Sequence, residues 1–494
     1  AFVLGVTEPA MSGLGAGVQV MMQEAGSPAV HIDGGTYSGS GTPVGVAKED
    51  VMGNPYRRGT VPTFVKTWYY LWTRFGTKPW ADLLAPALRY AEEGFVMGPF
   101  RYKVLLDRID TVRASPPVAD VWLDGNGNPY PPEHVYRQPA LANTLRKVAA
   151  GGADAFYRGD IAQTMAEDIA VHGGYVTLGD ITGVPEPRER PPLNVTYRGL
   201  RVSLLNPVCG GWVEGLALQI LGKSFSFALA MGSRSVPKFA SALQQAHNYR
   251  VLHPTDNATV AQERLDSNLA SKLYKASLHH NEREGIEEIS AAGETGGETT
   301  HFSIIDANGN ALAATQSINA YWGAGVMSPS LGFLYNSYMD DMDYLDPESP
   351  YYVGPKVRPQ SSMSASILSD AWNSPLVVVG SPGSARIISA VVQVISFILD
   401  KGLPADKAVE EPRIHTGYPD LLYVENPDRL SKSEYNQLKF MGFKRAEPGS
   451  PLLSCCHLEL NAYYGGVHAF SRQSNNSFWQ GGADPRRDGI VDVQ

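Results

Sequence analysis

Glu298-Thr299-Thr300-His301-Phe302-Ser303 follows a glycine-rich charged run, Gly293-Glu294-Thr295-Gly296-Gly297, and leads into Ile304-Ile305. Phe302 to Ile305 reads as a strand, Asp306-Ala307-Asn308-Gly309-Asn310 as a hairpin turn, and Ala311 to Thr315 as the return strand. Thr299 therefore stands at the start of a buried strand, directly after a polar segment rich in glycine. A threonine hydroxyl is a poor nucleophile without a base beside it. Cutting the chain before the threonine supplies one, because the freed α-amino group takes the proton. The same residues also allow an ordinary hairpin opened by a Thr-Thr pair, and a motif this short does not separate the two.

The rest of the chain narrows the classes. Its 494 residues can bury a large core and suffice for two or three domains by length alone. Hydrophobic residues make up 43% and charged residues 18%, an ordinary globular balance. A net charge of −9, with no basic run, argues against nucleic acid as a partner. The longest apolar run, Ala390 to Leu399, is interrupted by Gln393 and Ser396 and reads as a buried helix, not a membrane segment. The cysteines Cys209, Cys455 and Cys456 are too few for a disulfide framework. Cys455-Cys456-His457 lacks the further ligands a zinc site needs, so no metal is expected.

Strand-like Val18 to Met22 and Ala29 to Asp33 form an early hairpin around Glu24 to Pro28. Helical spacing covers Val61 to Phe75, Trp80 to Glu93, Gln138 to Ala150, Asp154 to His172, Val213 to Leu221, Val236 to Leu252 and Gln262 to Ser277. Asp124 to Pro129 is a turn, and Asn281 to Gly297 is the one convincing linker. Hairpins at both ends of a helical set allow an α/β or α+β sandwich with two stacked antiparallel sheets.

Spaced motifs go further. Thr299-Thr300-His301, Asp306, Gly309-Asn310-Ala311, Ser317-Ile318-Asn319, Gly323 and Met339-Asp340-Asp341 resemble, in order, the small subunit of γ-glutamyltranspeptidases. Pro359 to Ser364, Gly380-Ser381-Pro382-Gly383 with Arg386-Ile387-Ile388, Glu411-Pro412-Arg413 with His415, and Gly482 to Arg486 extend the likeness. Thr7-Glu8-Pro9, Ser12 to Gly17 and Pro86 to Phe95 resemble the large subunit. The likeness implies the four-layer αββα sandwich of N-terminal-nucleophile hydrolases. It also implies self-cleavage between Glu298 and Thr299, giving regions 1–298 and 299–494 that stay associated as one fold. No cofactor is implied. Relatives usually carry a helical segment before the position of Ala1, so residues preceding it are expected, and the compartment stays open between cytoplasmic and exported.

The resemblance assigns roles residue by residue. Thr299 is the nucleophile, and Ser317 stands where the family has a threonine that orients it, keeping the hydroxyl. Gly383 and Ser384 match two glycines whose N–H groups form an oxyanion hole; a serine at the second place keeps its N–H but constrains the backbone. Asn319, Asp341, Ser361 and Ser362 match the donor-binding polar set, with Tyr338 in place of a glutamine. Gly35 stands where the family has an arginine that pairs with the donor carboxylate, which removes a charge-assisted contact. Restoring an arginine at position 35, with Arg57 or Arg58 as native substitutes, is the expected route to γ-glutamyl binding. Cys209 falls where small hydroxyl residues are usual and reads as a buried structural cysteine.

The expected function is thus a self-processing Thr-nucleophile amidohydrolase or acyltransferase. It passes the acyl group of a small-molecule amide donor, other than glutathione, to water or an amine. The alternatives are an authentic glutathione hydrolase and a catalytically silent relative used for binding. A nucleotide site on the Gly13–Gly17 loop is disfavoured, because no phosphate-binding strand–helix unit follows.

Overall fold

The computed structural model describes residues 1–223, 236–278, 297–445, 460–472 and 478–492. Its centre is the expected hairpin, longer than local pattern indicated: Gly297–Ile305 pairs antiparallel with Ala311–Ala320. The turn is self-made, since Asp306 Oδ1 accepts the N–H groups of Asn308 and Asn310 at 2.9 and 2.8 Å. The free edge of Ala311–Ala320 takes Gly17–Gln23, which pairs with Val30–Gly34, and Arg188–Arg190 completes a five-stranded sheet.

A second, six-stranded sheet runs in the order Gln480–Ala483, His468–Ser471, Pro375–Gly380, Ala365–Ser369, Leu200–Leu204, Leu193–Tyr197, antiparallel throughout. Strand alternation then sorts the side chains into layers. Met21, Ala311 and Ala313 meet Ala365, Ile367 and Val378 between the sheets. The opposite face of the first sheet, with Val18, Val20, Ala314 and Ile318, packs on helices Phe64–Phe75, Trp80–Glu93 and Pro139–Tyr157. The outer face of the second, with Val377 and Val379, packs on Gly211–Lys223, Val236–Leu252 and Arg386–Lys401. Helices, sheet, sheet, helices: this is a four-layer αββα sandwich. Gly380 lets the sheets close, because a Cβ there would lie 2.1 Å from Cε1 of His301.

The helices match the sequence reading with shifted ends. The expected break after Ala150 is a kink at Gly152, whose φ of 61° is non-helical, inside Pro139–Tyr157, and the single helix expected over Asp154 to His172 is instead broken at Arg158 and Gly159, before Asp160–Val171. The single helix expected over Gln262 to Ser277 is two, Ala258–Glu263 and Ser267–Leu278. The 390–399 run lies in Arg386–Lys401, buried over nearly its whole length. No helix among the described residues is long and apolar enough to cross a membrane. The linker expected over Asn281 to Gly297 and the Cys455-Cys456-His457 cluster lie outside the described residues, Gly297 excepted.

Candidate active site

Register places Thr299. Glu298 pairs with Asn319 and Thr300 with Gln316, and the shift between them sets Thr299 against Ser317 and Ile318 at a bulge. Bulges re-aim side chains, here toward the space between the sheets. Thr299, 5% exposed, donates its hydroxyl to Ser317 Oγ at 3.4 Å. Ser317 Oγ donates to the Glu298 carbonyl at 2.5 Å and accepts the Asn319 N–H at 2.8 Å. One serine hydroxyl thus links the threonine oxygen to the carbonyl of the preceding peptide bond. Asn319 holds its place at φ 74°, a left-handed conformation asparagine tolerates, and its Nδ2 donates to Ser337 O at 3.0 Å.

The Glu298 side chain is also fixed. Its carboxylate lies between two buried arginines, Arg386 at 2.9 Å and Arg487. Arg386 opens the helix that follows the Gly380–Ala385 loop. In that loop Gly383 has φ 130° and Ser384 φ 56°, so both adopt backbone conformations that favour glycine. Ser384 lines the same cavity as Thr299, just before the N-cap Ala385 of a sixteen-residue helix whose first N–H groups are free of intrahelical partners.

Thr299 and Ser317 form part of the wall of a cavity of about 900 Å³. Asn319, Tyr338, Asp341, Ser361, Ser362 and Ser384 line it as well, so seven of the sequence-predicted residues and the nucleophile candidate share one space, while Gly383 lies just behind. Burial, and then the neighbouring Asp340, push the Asp341 carboxyl up to about 7. Burial likewise raises the Tyr338 phenol, keeping it neutral. His301, two residues after Thr299, is held by other partners: its ring meets Thr315 at 2.9 Å and Ser303 at 3.1 Å, and burial holds it neutral.

The corner around Gly35 differs from the sequence expectation. The Arg358 guanidinium occupies it, paired with Asp33 through Nη1–Oδ2 at 2.8 Å and Nη2–Oδ1 at 2.5 Å. A Cβ on Gly35 would lie 2.3 Å from Arg358 Nη2 and 2.8 Å from Gln19 Nε2. An arginine at position 35 would therefore have to shift the Arg358 and Gln19 side chains from their contacts with Asp33. Arg58 and Arg57 do not replace it either. Arg58 is bidentate on Asp340 at 2.9 and 2.5 Å, and Arg57 donates to the backbone oxygens of Gly173 and Asp50. A buried cation of the cavity wall that sequence reasoning missed is Arg250, on the Val236–Leu252 helix; Lys48 also lines the cavity. A signal existed: Ala240, Leu243, His247 and Arg250 continue one buried stripe at helical spacing, the last two polar.

Other readings find no support. Cys209 is 1% exposed in the inter-sheet cluster, and burial raises its thiol pKa, which disfavours the thiolate. The Gly13–Gly17 loop leads into a strand, and Gly15 presses on Leu334 O so closely that a Cβ would lie 2.1 Å away. Among the described residues no group of three or more His, Cys, Asp or Glu is placed to hold a metal ion.

Comparison with known proteins identifies the family. The Gamma-glutamyltranspeptidase family model matches residues 1–493. The glutathione hydrolase proenzyme of Bacillus subtilis (strain 168) is 28% identical, over 99% of this chain and 85% of that protein. The acylase ACY 1 proenzyme of Pseudomonas sp. (strain V22) is 31% identical, over 75% of this chain and 66% of its own length. Cephalosporin acylase from Bacillus halodurans superposes with a TM-score of 0.82, covering 100% of this chain and 89% of that one at 24% identity, so the two share the fold. The chain is a divergent member of the γ-glutamyltranspeptidase family.

Proposed function

We propose that this protein is a self-processing amidohydrolase or acyltransferase whose nucleophile is Thr299, acting on an acyl donor other than glutathione. The observation that carries the reading is the Thr299–Ser317–Glu298 hydrogen-bond chain at the cavity wall. It is a proton path laid along the bond to be broken. Thr299 Oγ attacks the Glu298 carbonyl carbon and passes its proton to Ser317, whose own proton goes to the carbonyl oxygen. Collapse re-forms the carbonyl as that proton moves from its oxygen to the leaving nitrogen, breaks the C–N bond, and leaves an ester on Thr299 with its amine free. Water then releases Glu298 as a carboxylate.

The freed amine is thereafter the base for the same hydroxyl. Thr299 Oγ attacks the donor carbonyl, the amine takes the proton and returns it to the leaving nitrogen, and an acyl-Thr299 ester remains for water or an amine acceptor. Backbone N–H groups at Gly383 and Ser384 are suited to the developing oxyanion. Asn319 and Asp341 are the polar groups available to a donor amine, and Ser361 and Ser362 to its acceptor oxygens. The closed Gly35 corner supports a donor other than glutathione, since Arg358 there is already neutralised by Asp33. Regions 1–298 and 299–494 are, on this reading, the cleavage products.

The test is a panel of acyl amides with released amine read by mass spectrometry, alongside intact mass of the 299–494 fragment. An acyl adduct on Thr299, absent from Thr299→Ala together with self-cleavage, is the expected result. An active Thr299→Ala protein would sink the mechanism.

A further inference from the structure

One stretch of the cavity wall plays no part in the chemistry above. Strands Ile414–Gly417 and Leu421–Val424 form a hairpin, and His415, Thr416, Tyr418 and Tyr423 bring it to the cavity, where His247 joins it from the Val236–Leu252 helix. Much of this surface is ring. His415 stacks on Tyr423 with centroids 5.8 Å apart and meets His247 edge-on at 5.5 Å. Hydrogen bonds fix the wall: Ser389 Oγ pairs with His415 Nδ1 at 2.8 Å and with His247 Nε2 at 3.3 Å. Gln393 holds the Ile414 backbone through its N–H and its carbonyl, at 3.0 and 2.9 Å. Two polar atoms are left over. The hydroxyl oxygens of Thr416 and Tyr418 are buried and have no hydrogen-bond partner among the described residues. A buried hydroxyl without a partner is costly, and a ligand group that bonds it removes that cost.

We propose that this hairpin is the subsite for the leaving amine, and that the amine carries an aromatic ring with a polar substituent. The inference rests on the reading of Thr299 as nucleophile and names the substrate class on the side of the bond which that reading leaves open. Asn319, Asp341, Ser361 and Ser362 serve the acyl end, so the hairpin falls to the amine. Capacity agrees. A cavity of about 900 Å³ is near the top of the range that encloses drug-sized ligands, roughly 300–1,000 Å³, and exceeds what a small acyl group fills. Rings of the wall favour another ring, stacked or edge-on, over aliphatic bulk of the same size. Hydroxyls both donate and accept, so those of Thr416 and Tyr418 suit an uncharged hydroxyl or carbonyl on that ring.

Sulfonamides resist acyl transfer, so their binding to the purified protein, by calorimetry near neutral pH, reads the subsite without turnover. N-phenylmethanesulfonamide puts the ring on the amine side and phenylmethanesulfonamide on the acyl side, while N-cyclohexylmethanesulfonamide replaces the ring by aliphatic bulk. The N-phenyl ligand is expected to bind about fivefold or more tightly than either of the others, with Tyr423→Leu losing that preference. At least one ring-hydroxylated isomer of it should bind tighter again by about threefold, and lose the gain in Thr416→Val or Tyr418→Phe. Thermal unfolding of each variant confirms that it is folded. If Tyr423→Leu does not fold, the wild-type ligand series and the two near-isosteric variants decide. No binding, equal binding of the N-phenyl and N-cyclohexyl ligands, or tighter binding of the acyl-side ring overturns the proposal. So does an unchanged preference in folded Tyr423→Leu, or no gain from any ring hydroxyl. Turnover of an acyl amide by Thr299→Ala would overturn the nucleophile assignment instead, and the ring preference would still judge the hairpin.

Discussion

Replacing Ser317 by alanine isolates the hydroxyl on which both proposed reactions depend. In the uncleaved chain that oxygen sits at the crossing of three hydrogen bonds: 3.4 Å from Thr299 Oγ, 2.5 Å to the Glu298 carbonyl and 2.8 Å from the Asn319 N–H. Two effects oppose each other. Loss of a donor to a developing oxyanion costs about 10²–10³ in rate, roughly 3–4 kcal/mol. The alanine also leaves the buried Glu298 carbonyl and Asn319 N–H short of a partner, about 1–3 kcal/mol each, which raises the ground state and returns part of the barrier. The transition-state loss wins, because the proton path from Thr299 disappears with the donor. Self-cleavage of Ser317→Ala is expected to slow by about 100-fold, while Ser317→Thr, which restores the hydroxyl, stays within about tenfold of the parent. A time course of purified precursor on denaturing gels, with the new N-terminus read by mass spectrometry, measures it. Cleavage of Ser317→Ala at the parent rate, with a fragment beginning at Thr299, would refute the relay.

Three further outcomes follow from buried groups. Ser384→Gly relieves a positive φ of 56° and should raise stability by about 1 kcal/mol, while turnover persists if, as proposed, the donor is the backbone N–H; a loss of kcat near a hundredfold would instead give the serine hydroxyl a catalytic part. Glu214 is fully buried, accepts the Ser366 hydroxyl at 2.7 Å, and burial pushes its carboxyl up to about 8. A folded value above the unfolded one gives stability that is present at low pH and lost as pH rises through about 8, so Glu214→Gln should raise Tm more in alkaline than in acidic buffer, and an equal shift at both would refute the assignment. Asp341, held up to about 7, gains charge as pH rises through that value, so binding of a non-reacting ligand that carries an ammonium group should tighten across it, and Asp341→Asn should flatten the profile; an unchanged profile in that variant would exclude Asp341 as the partner.

The parts legible in the sequence were those whose chemistry is local. The 306–310 turn binds its own backbone, and Thr315, Ser317 and Asn319 alternate on one strand face as period two requires. The second sheet was hidden for the opposite reason: Ala365–Ser369 and Pro375–Gly380 are buried on both faces, so they carry no alternation to read. Gly35 could be read as a missing cation, but not the closure of its corner, since Arg358 comes from 325 residues away to meet Asp33. Glu298 gives no sign of its two arginines, 88 and 189 residues distant. Such pairings are written in the sheet topology and not in any window of sequence.

That topology also bears on what a cut at Thr299 would do. Gly17–Gln23, from before the bond, pairs with Ala311–Ala320, from after it, over seven residues. Leu200–Leu204 and Ala365–Ser369 do the same in the other sheet, and all three apolar clusters that build the layers draw residues from both sides. Hydrolysis of one peptide bond breaks none of these contacts. It frees the strand end at Thr299 while Thr300 stays tied to Glu8 through a 2.7 Å hydrogen bond, with Glu8 held by Arg101 at 3.2 Å. A new N-terminus would thus appear on a residue whose neighbour is anchored, beside a cavity already shaped. On the proposed reading, the cost of organising Thr299 would fall on the intact chain as it folds, before a cut gave the threonine its amine.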